Sequence, residues 1–483
     1  MVSLVQIIPI LEKADMKHPP LGLLYLGGSL RKANFPVKIF HILPAEINKS
    51  ALEIINQNPL FVGFSVMTGI PAYYAVQMSK KIKELNPEIP IIWGGHHPSL
   101  IPNQCLEENY IDAVIIGEGE ETIVDLANAL EQKKDLSSVL GIGFKKAKEI
   151  IINPPRPRIQ NLDNLIVDWS LVNVSDYIIS SGNERVIGFY SSRGYPYNCG
   201  FCSSAKFFER TWRAHSSDYV VNSLKQLKEK FGINGVFFAD DNFIIDRTRA
   251  FAIIKQLYDI GIRTKTLDIR TNHLDEELLS LLKKTKATGI FIGWESGCDR
   301  LLKLMNKGIT RDEIIEKVKL LAKYPEISVW ASGIVGFPTE TEEERRETID
   351  TGLEMFKIHP NIVVSYQIYL PFPGTDLLPL AVQQGFKMPK RTEDWRKIDI
   401  QGQTKNMPWL PWISKKEQAK LWMTNRYSKI MLRKYYSVNW LIKFIGNFFT
   451  FLAEQRIKNQ NFIFPIDLVL YKFLKKCREI IKS

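Results

Sequence analysis

The stretch SSRGYPYNCGFCSS, Ser191 to Ser204, sets Cys199 and Cys202 three residues apart with Phe201 between them and an Arg-Gly turn ahead. It directly follows the apolar run VIGFYSS, which reads as a strand, so the two thiols sit on a loop at a strand's carboxyl end. A bare CxxC has three readings: a zinc site, a redox dithiol or part of an iron-sulfur cradle. Zinc would want two more thiolates or imidazoles, and the chain has no second CxxC and no HxxxH. A thioredoxin-like dithiol would open a helix in a different neighbourhood.

Five further runs downstream read as strands: GVFFAD, TLDIRTN, GIFIGWES, VWASGIVG and VVSYQIYL. Helical stretches such as SDYVVNSLKQLKEKF, DEELLSLLKKT and RDEIIEKVKLLAKY lie between them. With VIGFYSS they make six strand-helix repeats, the pattern of a partial parallel barrel whose chemistry gathers at its carboxyl-end face.

Upstream, LVQIIPI, VKIFHI, FVGFSV, PIIWGG and AVIIGEG alternate with PPLGLLYLGGSLRKA, AYYAVQMSKKIKEL and ETIVDLANALEQ. That alternation predicts a doubly wound, Rossmann-like α/β sheet, which binds ligands beyond the carboxyl ends of its strands. Those ends carry SVMTG (Ser65 to Gly69), GGHHP (Gly94 to Pro98) and GEGE (Gly117 to Glu120), all rich in small or polar residues. The connector IINPPRPRIQNLDNL has three prolines within five residues and no periodicity, which marks a boundary. The expected organisation is a Rossmann-like domain over 1–145, a linker over 146–180, a barrel over 181–400 and a helical basic region over 401–483.

The net charge of +12 is unevenly placed. Residues 413–483 hold 15 Lys/Arg against 4 Asp/Glu, which leaves about +1 for the other 412 residues. A nucleic-acid reading would need basic residues in the folded core, and none gather there. Five scattered cysteines make no disulfide framework, and the start MVSLVQIIPI lacks a basic region, so a reducing cytoplasm is expected. No apolar run reaches the roughly 20 residues needed to span a bilayer.

GYPYNCGFC resembles the cluster loop CxxxCxxC of radical S-adenosylmethionine (SAM) enzymes, and further motifs follow in that family's order. FFADDNF resembles the segment that meets the SAM amino group, DIRTN the third-strand position and GWESGCDRLLKLMNKG the fourth-strand motif. SGIVGFPTET resembles the glycine motif beside the adenine, and YLPFPGT the sixth-strand exit. PPLGLLYLGGSLR, IIWGGHHPSL and DAVIIGEGEET resemble the cobalamin-binding domain that precedes the barrel in one large class of these enzymes. The resemblance spans about residues 1 to 400.

It implies three cofactors: a 4Fe-4S cluster, SAM and cobalamin in its methylcobalamin form. It implies cluster ligation by Cys199 and Cys202, and SAM contacts from Phe201, Asp240, Asp241, Arg270, Glu295, Gly333, Ile334 and Gly336. Cobalamin contacts would come from Ser65, Gly69, Gly94, Gly95, His97, Gly117, Glu118, Gly119 and Glu120. DxHxxG does not occur, so that motif supplies no imidazole to cobalt. Plainer readings stand beside these: Asp240 and Asp241 as helix caps, His96 and His97 as surface histidines, Glu295 as a buried ion-pair member.

In the family three thiolates hold the cluster, and here the first position is Tyr195. A phenol must lose a proton of pKa about 10 to ligate iron, and it reaches several Å farther from its Cα than a thiol does. Three readings follow: a cluster held by Tyr195 or by an exogenous third ligand, a lost or labile cluster in a cofactor-binding relative, or a disabling substitution. Cys105, Cys298 and Cys477 read as small buried residues, with Cys298 close after the fourth strand.

The resemblance ranks methyl transfer to an unactivated carbon of a hydrophobic small molecule or lipid first, through a 5′-deoxyadenosyl radical. Ring formation or another carbon-skeleton reaction ranks second, and a non-catalytic cofactor-binding protein is the alternative of a different class. An external flavodoxin- or ferredoxin-type reductant is implied, and no nucleic-acid partner. The basic, aromatic tail predicts either a surface that lies on an anionic membrane or a helical cap on the barrel.

Overall fold

Seven strands build the first sheet of the computed structural model, which describes residues 1–9, 18–147, 149–398, 404–431, 440–463 and 465–471. They are β1 (Val2–Ile7), β2 (Val37–Ile42), β3 (Phe61–Ser65), β4 (Ile91–Gly94), β5 (Ala113–Ile115), β6 (Ile142–Lys146) and β7 (Glu149–Ile152), in the order β2-β1-β3-β4-β5-β6-β7. The first five pair in parallel, as the strand-helix alternation predicts. The hairpin β6–β7 joins antiparallel, so the sheet is mixed, and β7 takes up the IIN end of the expected connector.

Period-two alternation feeds both faces of this sheet. Val5, Phe64 and Trp93 pack with Val76 and Ile82 of helix Ile70–Leu85 on one face. Leu4 and Ile92 pack with Leu23 and Leu126 on the other. Strands covered on both sides read as near-continuous apolar runs, which is why these five were legible.

A second sheet, β13-β12-β9-β8, uses β8 (Ile179–Ser181), β9 (Glu184–Phe189), β12 (Gly235–Phe238) and β13 (Arg263–Thr264). Between β9 and β12 the chain makes an antiparallel pair, β10 (Ser192–Gly194) with β11 (Trp212–Ala214). The third sheet is parallel: β14 (Thr266–Arg270), β15 (Gly289–Glu295), β16 (Ser328–Val335) and β17 (Ile362–Ile368). The six expected barrel strands are therefore β9, β12 and β14 to β17, divided two and four between separate hydrogen-bonded sheets.

The chain divides accordingly into two compact units. One comprises Met1–Lys265, Pro371–Val382 and Lys387–Gln401; the other comprises Thr266–Leu370, Gln383–Phe386 and Gly402–Ser483.

Caps set the helix starts. Ser216 accepts from Tyr219 N at the head of Ser217–Phe231, which Gly232 ends in the left-handed region. Thr310 with Glu313 and Thr341 with Glu344 form capping boxes on Arg311–Ala322 and Glu342–Ile358. The helix after β12 is capped by Asp246, not by Asp240 or Asp241.

In the second unit, helix Lys415–Met431 packs on β17, with Asn425 Nδ2 donating to Tyr366 O at 2.7 Å. Helix Trp440–Asn459 packs on that helix in turn. Its Phe444, Phe448 and Phe451 stay exposed at helical spacing, and Ile463, Ile466, Val469 and Leu470 extend the set of exposed apolar residues. Among the described residues no helix is long and apolar enough to cross a membrane.

Candidate functional site

The cysteine loop leaves β10 at Gly194 and closes into helix Ser203–Phe207. Tyr195 and Cys199 are buried in one apolar cluster with Ala205, flanked by Tyr197, Phe201 and Cys202. Tyr195 Oη lies 3.3 Å from Cys199 Sγ. Burial pushes the Cys202 thiol up to about 11, with backbone hydrogen bonds from Ala205 and Ser204 pulling the other way. The donors of the loop are two thiols and a phenol, and among the described residues no three His, Cys, Asp or Glu side chains gather as a metal cradle. Cys105 is fully buried in the first unit, and Cys298 Sγ meets Glu344 Oε1 at 3.6 Å in the second. Cys477 lies outside the described residues. A cluster held by three protein thiolates does not fit this donor set.

Asp240, fully buried at the end of β12, ties that strand to the turn after β9. Its carboxylate accepts from Ser191 N at 3.2 Å, from Ser191 Oγ at 3.0 Å and from Ser192 Oγ. Its neighbour Asp241 is solvent-accessible, yet burial by the surrounding protein pushes its carboxyl up to about 6, against a hydrogen bond to Ser204 that lowers it. One carboxylate is structural and the other is open to a ligand; an exposed carboxylate beside the cysteine loop fits the amino group of SAM.

The GEGE turn carries the feature that the sequence did not disclose. Arg193, on β10, donates to Glu120 Oε1 at 2.6 Å and to Glu118 Oε1 at 3.3 Å. Arg213, on β11, donates to Glu118 Oε2 at 2.7 Å and Oε1 at 3.0 Å. Burial alone would raise the Glu118 carboxyl, but the hydrogen bond and charges of the two arginines outweigh it and hold the group below the usual range. Tyr25 lies under the Arg193 guanidinium at 4.6 Å and shares a hydrogen bond with His215 Nε2 at 2.8 Å. His215 Nδ1 meets Asp163 Oδ1 at 3.0 Å. The carboxylates of Glu118 and Glu120 are thus engaged by the arms of the cysteine loop. The only signal in the sequence was an arginine in each of two short strands, SRG and WRA.

The ends of β3 and β4 are more open. Gly95 has φ +94°, and a Cβ there would come within 3.1 Å of Val66 N and O. Ser99 Oγ donates to Gly95 O at 2.7 Å and accepts from Gly117 N at 3.0 Å, joining two of the turns. Gly69 opens helix Ile70–Leu85, and Ser65 and Gly94, at the ends of β3 and β4, are both half-buried. His97 is buried and His96 half-buried, and the surrounding protein drives them down to about 3 and about 4. His97 Nδ1 pairs with Thr68 Oγ1 at 3.1 Å, while His97 Nε2 and His96 Nδ1 have no partner. Met67, between Ser65 and Gly69 in the turn after β3, is 47% exposed. Orphaned ring nitrogens, bare backbone and an open thioether fit a large cofactor that is apolar at its centre and amide-bearing at its edge, as cobalamin is.

In the second unit, β14 and β15 place Arg270 and Glu295 on buried positions. Glu295 has φ +62° and pairs with Lys307 Nζ at 2.7 Å, as the ion-pair reading expects. Arg270 Nε donates to Asn272 Oδ1 at 3.1 Å. A Cβ on Gly333 would lie 2.5 Å from Trp294 Cζ2, so the glycine makes room for a core tryptophan. Gly336 donates its N–H to Glu340 Oε2 at 2.7 Å, and its carbonyl accepts from Trp412 Nε1 at 3.2 Å. Ile334 is the half-buried member of the glycine motif.

The Radical SAM superfamily model matches residues 190–352 and the B12 binding domain model residues 7–127. An uncharacterized methyltransferase of Pyrococcus horikoshii is 33% identical over 78% of this chain and 81% of its own length. The chain belongs to the cobalamin-dependent radical SAM methyltransferase family. Another relative, the anaerobic magnesium-protoporphyrin IX monomethyl ester cyclase of Rubrivivax gelatinosus, is 29% identical over 74% of this chain and 65% of its own. Among solved structures, the radical SAM methyltransferase TsrM of Kitasatospora setae, with cobalamin and a 4Fe-4S cluster bound, superposes with a TM-score of 0.67. That match has 16% identity and covers 94% of this chain and 99% of the other.

Proposed function

We propose that the protein transfers a methyl group from SAM to an unactivated carbon of a hydrophobic small molecule or lipid. The observation that carries this is the 33% identity to a methyltransferase over most of both chains. The β3 and β4 turns, with orphaned His97 Nε2 and open Met67, support it as a cobalamin seat. When bound, cobalamin supplies a cobalt that accepts and donates methyl groups.

In this reading residues 1–145 bind cobalamin, 181–400 form the SAM-binding core, 146–180 link them and 401–483 form the helical basic region. Ser65, Gly69, Gly94, Gly95, His97, Gly117 and Gly119 line the cobalamin face. Glu118 and Glu120 act there through Arg193 and Arg213, by fixing the turn. In the first unit Asp241 takes the SAM ammonium and Phe201 is a further contact, with Asp240 holding the turn; from the second unit the resemblance gives Arg270, Glu295, Gly333, Ile334 and Gly336 as SAM contacts. Cys199 and Cys202 are the iron ligands, and Tyr195 stands at the first position of CxxxCxxC. An external one-electron reductant serves the protein. The exposed Phe444, Phe448 and Phe451, in a region with a surplus of 11 basic residues, rest on the anionic inner face of a membrane.

A second reading, carbon-skeleton chemistry without methyl transfer, is favoured by the similarity to the cyclase. Anaerobic incubation with SAM, cobalamin and reductant separates the two. Release of S-adenosylhomocysteine supports methyl transfer; 5′-deoxyadenosine with no S-adenosylhomocysteine supports the second reading.

A further inference from the structure

Parallel sheets are covered on both faces, because the crossovers that join their strands lay helices over them. In the third sheet one face has that cover. Val364 and Tyr366 of β17 point to the helix Glu342–Ile358, where a Cβ on Gly352 would strike both, and Tyr366 Oη donates to Ile349 O at 2.9 Å. Trp294 of β15 meets Tyr366 edge-on at 6.2 Å on that same face. The residues that alternate with these point the other way. There the register sets Phe291 beside Trp330 in one row, Ser332 beside Ser365 in the next, and Ile334 beside Gln367 at the carboxyl end. Phe291 is 38% exposed although β15 is an interior strand, Trp330 is half-buried and Gln367 is exposed. A phenylalanine on an interior strand of a parallel sheet belongs to a core, so one left open marks a surface that a ligand covers.

Polarity runs along this face. The aromatic pair lies toward the amino ends of the strands, and Gln367 stands four residues farther along, about 13 Å at the rise of a strand. Beside Gln367 are Ile334 and Ser365, neither of them charged. The charged residues of the face, Asp268 and Arg270, stand on β14, three strands and about 14 Å from β17. We propose that Phe291, Trp330 and Gln367 select the methyl acceptor: the aromatic pair covers an apolar body, and the Gln367 amide hydrogen-bonds a neutral polar end. The substrate class is then an uncharged amphiphile, an alcohol or an amide, and not an acid, because a carboxylate at Gln367 would leave water with no opposite charge next to it in the sheet. This rests on the methyl-transfer reading above and gives it a class of acceptor.

The test is equilibrium dialysis of the full chain, without SAM or cobalamin, against pyrenebutanol and pyrenebutyrate, which share a ring system and a chain length and differ in charge. The proteins are the wild type, Phe291→Ala, Gln367→Leu and, as a control at an exposed leucine of the first unit, Leu52→Ser. Melting curves check folding. The wild type should bind the alcohol about tenfold more tightly than the acid. Phe291→Ala should weaken both probes about fivefold or more through lost apolar burial. Gln367→Leu should weaken the alcohol alone and cut the preference to about threefold or less. Leu52→Ser should change neither. Tighter binding of the acid, equal binding of both probes, no saturable binding by the wild type, or affinities that Phe291→Ala and Gln367→Leu leave unchanged would overturn the proposal. Should Phe291→Ala melt early, Gln367→Leu, altered at an exposed position, decides by the preference alone. If the probes bind as expected and SAM with a trideuterated methyl group still yields no methylated product, the binding face stands and the methyl-transfer reading falls.

Discussion

Arg193 and Glu120 meet at 2.6 Å, both side chains nearly sequestered from solvent, so a turn of the first sheet is latched to the strand that launches the cysteine loop. The pair is part of a four-membered network with Glu118 and Arg213. Removing one member of such a set leaves a desolvated charge without compensation, which costs more than the intact pair contributes.

Arg193→Met therefore destabilises the first unit by about 3–5 kcal/mol, since it strands Glu120. Chemical denaturation of the full chain checks this, and Arg193→Lys, which keeps a charge but loses the fork, should recover only part of the loss. A change below about 0.5 kcal/mol, the range of ordinary surface substitutions, would mean that the latch carries no weight.

Acid should destabilise the protein from pH 6.5 downward. Three buried imidazoles and the half-buried His96 have depressed pKa values: His97 at about 3, and His96, His215 and His359 at about 4. Burial is the leading cause in each, offset at His215 by its bond to Asp163. At these imidazoles the unfolded chain binds more protons across this window, so the stability they provide is intact above 6.5 and is lost as pH falls toward 4, offset in part by Glu340 and Asp241, whose carboxyls burial raises to about 7 and about 6. Each contributes a slope of up to about 1.4 kcal/mol per pH unit. Denaturation midpoints between pH 7 and 5 check the trend, and His97→Gln should remove one proton from it.

Gly333→Ala should cost about 1–3 kcal/mol by overpacking Trp294, with no need to invoke a cofactor. Trp294→Leu in the same chain should return part of that stability. If Gly333→Ala is neutral in denaturation yet weakens SAM binding, the glycine belongs to the cofactor and not to the core.

Replacing Phe444, Phe448 and Phe451 by Ser should lower binding to vesicles with anionic lipid at least tenfold and leave the melting temperature within about 2 °C, because these side chains are exposed. Binding of the wild type should weaken as salt rises. Equal binding of both proteins in a sedimentation assay contradicts the membrane contact.

The strands were legible because apolar runs of the right length, bounded by Gly, Asn and Asp, are what a two-sided parallel sheet demands. The Ser217–Phe231 and Arg311–Ala322 helices were legible from the helical spacing of their apolar residues. The partners of charged groups were not legible. Nothing local links Glu118 to Arg213, 95 residues away, or says that Ser191 and Ser192 would claim Asp240. Gly333 looked like part of a ligand loop because sequence cannot tell a glycine that admits a cofactor from one that admits Trp294. His97 read as a cobalamin contact with a surface histidine as the plainer alternative, and nothing in the sequence said that its ring would be buried with Nδ1 on Thr68.

The most direct test of methyl transfer uses SAM carrying a trideuterated methyl group. The cobalamin-loaded protein is incubated with it anaerobically, with reductant and an organic extract of cells, and the products are weighed by mass spectrometry. The account predicts S-adenosylhomocysteine together with an organic-soluble product heavier by the deuterated methyl. A protein that binds both cofactors, yet yields no S-adenosylhomocysteine and no deuterated product from an extract that contains its substrate, would contradict it.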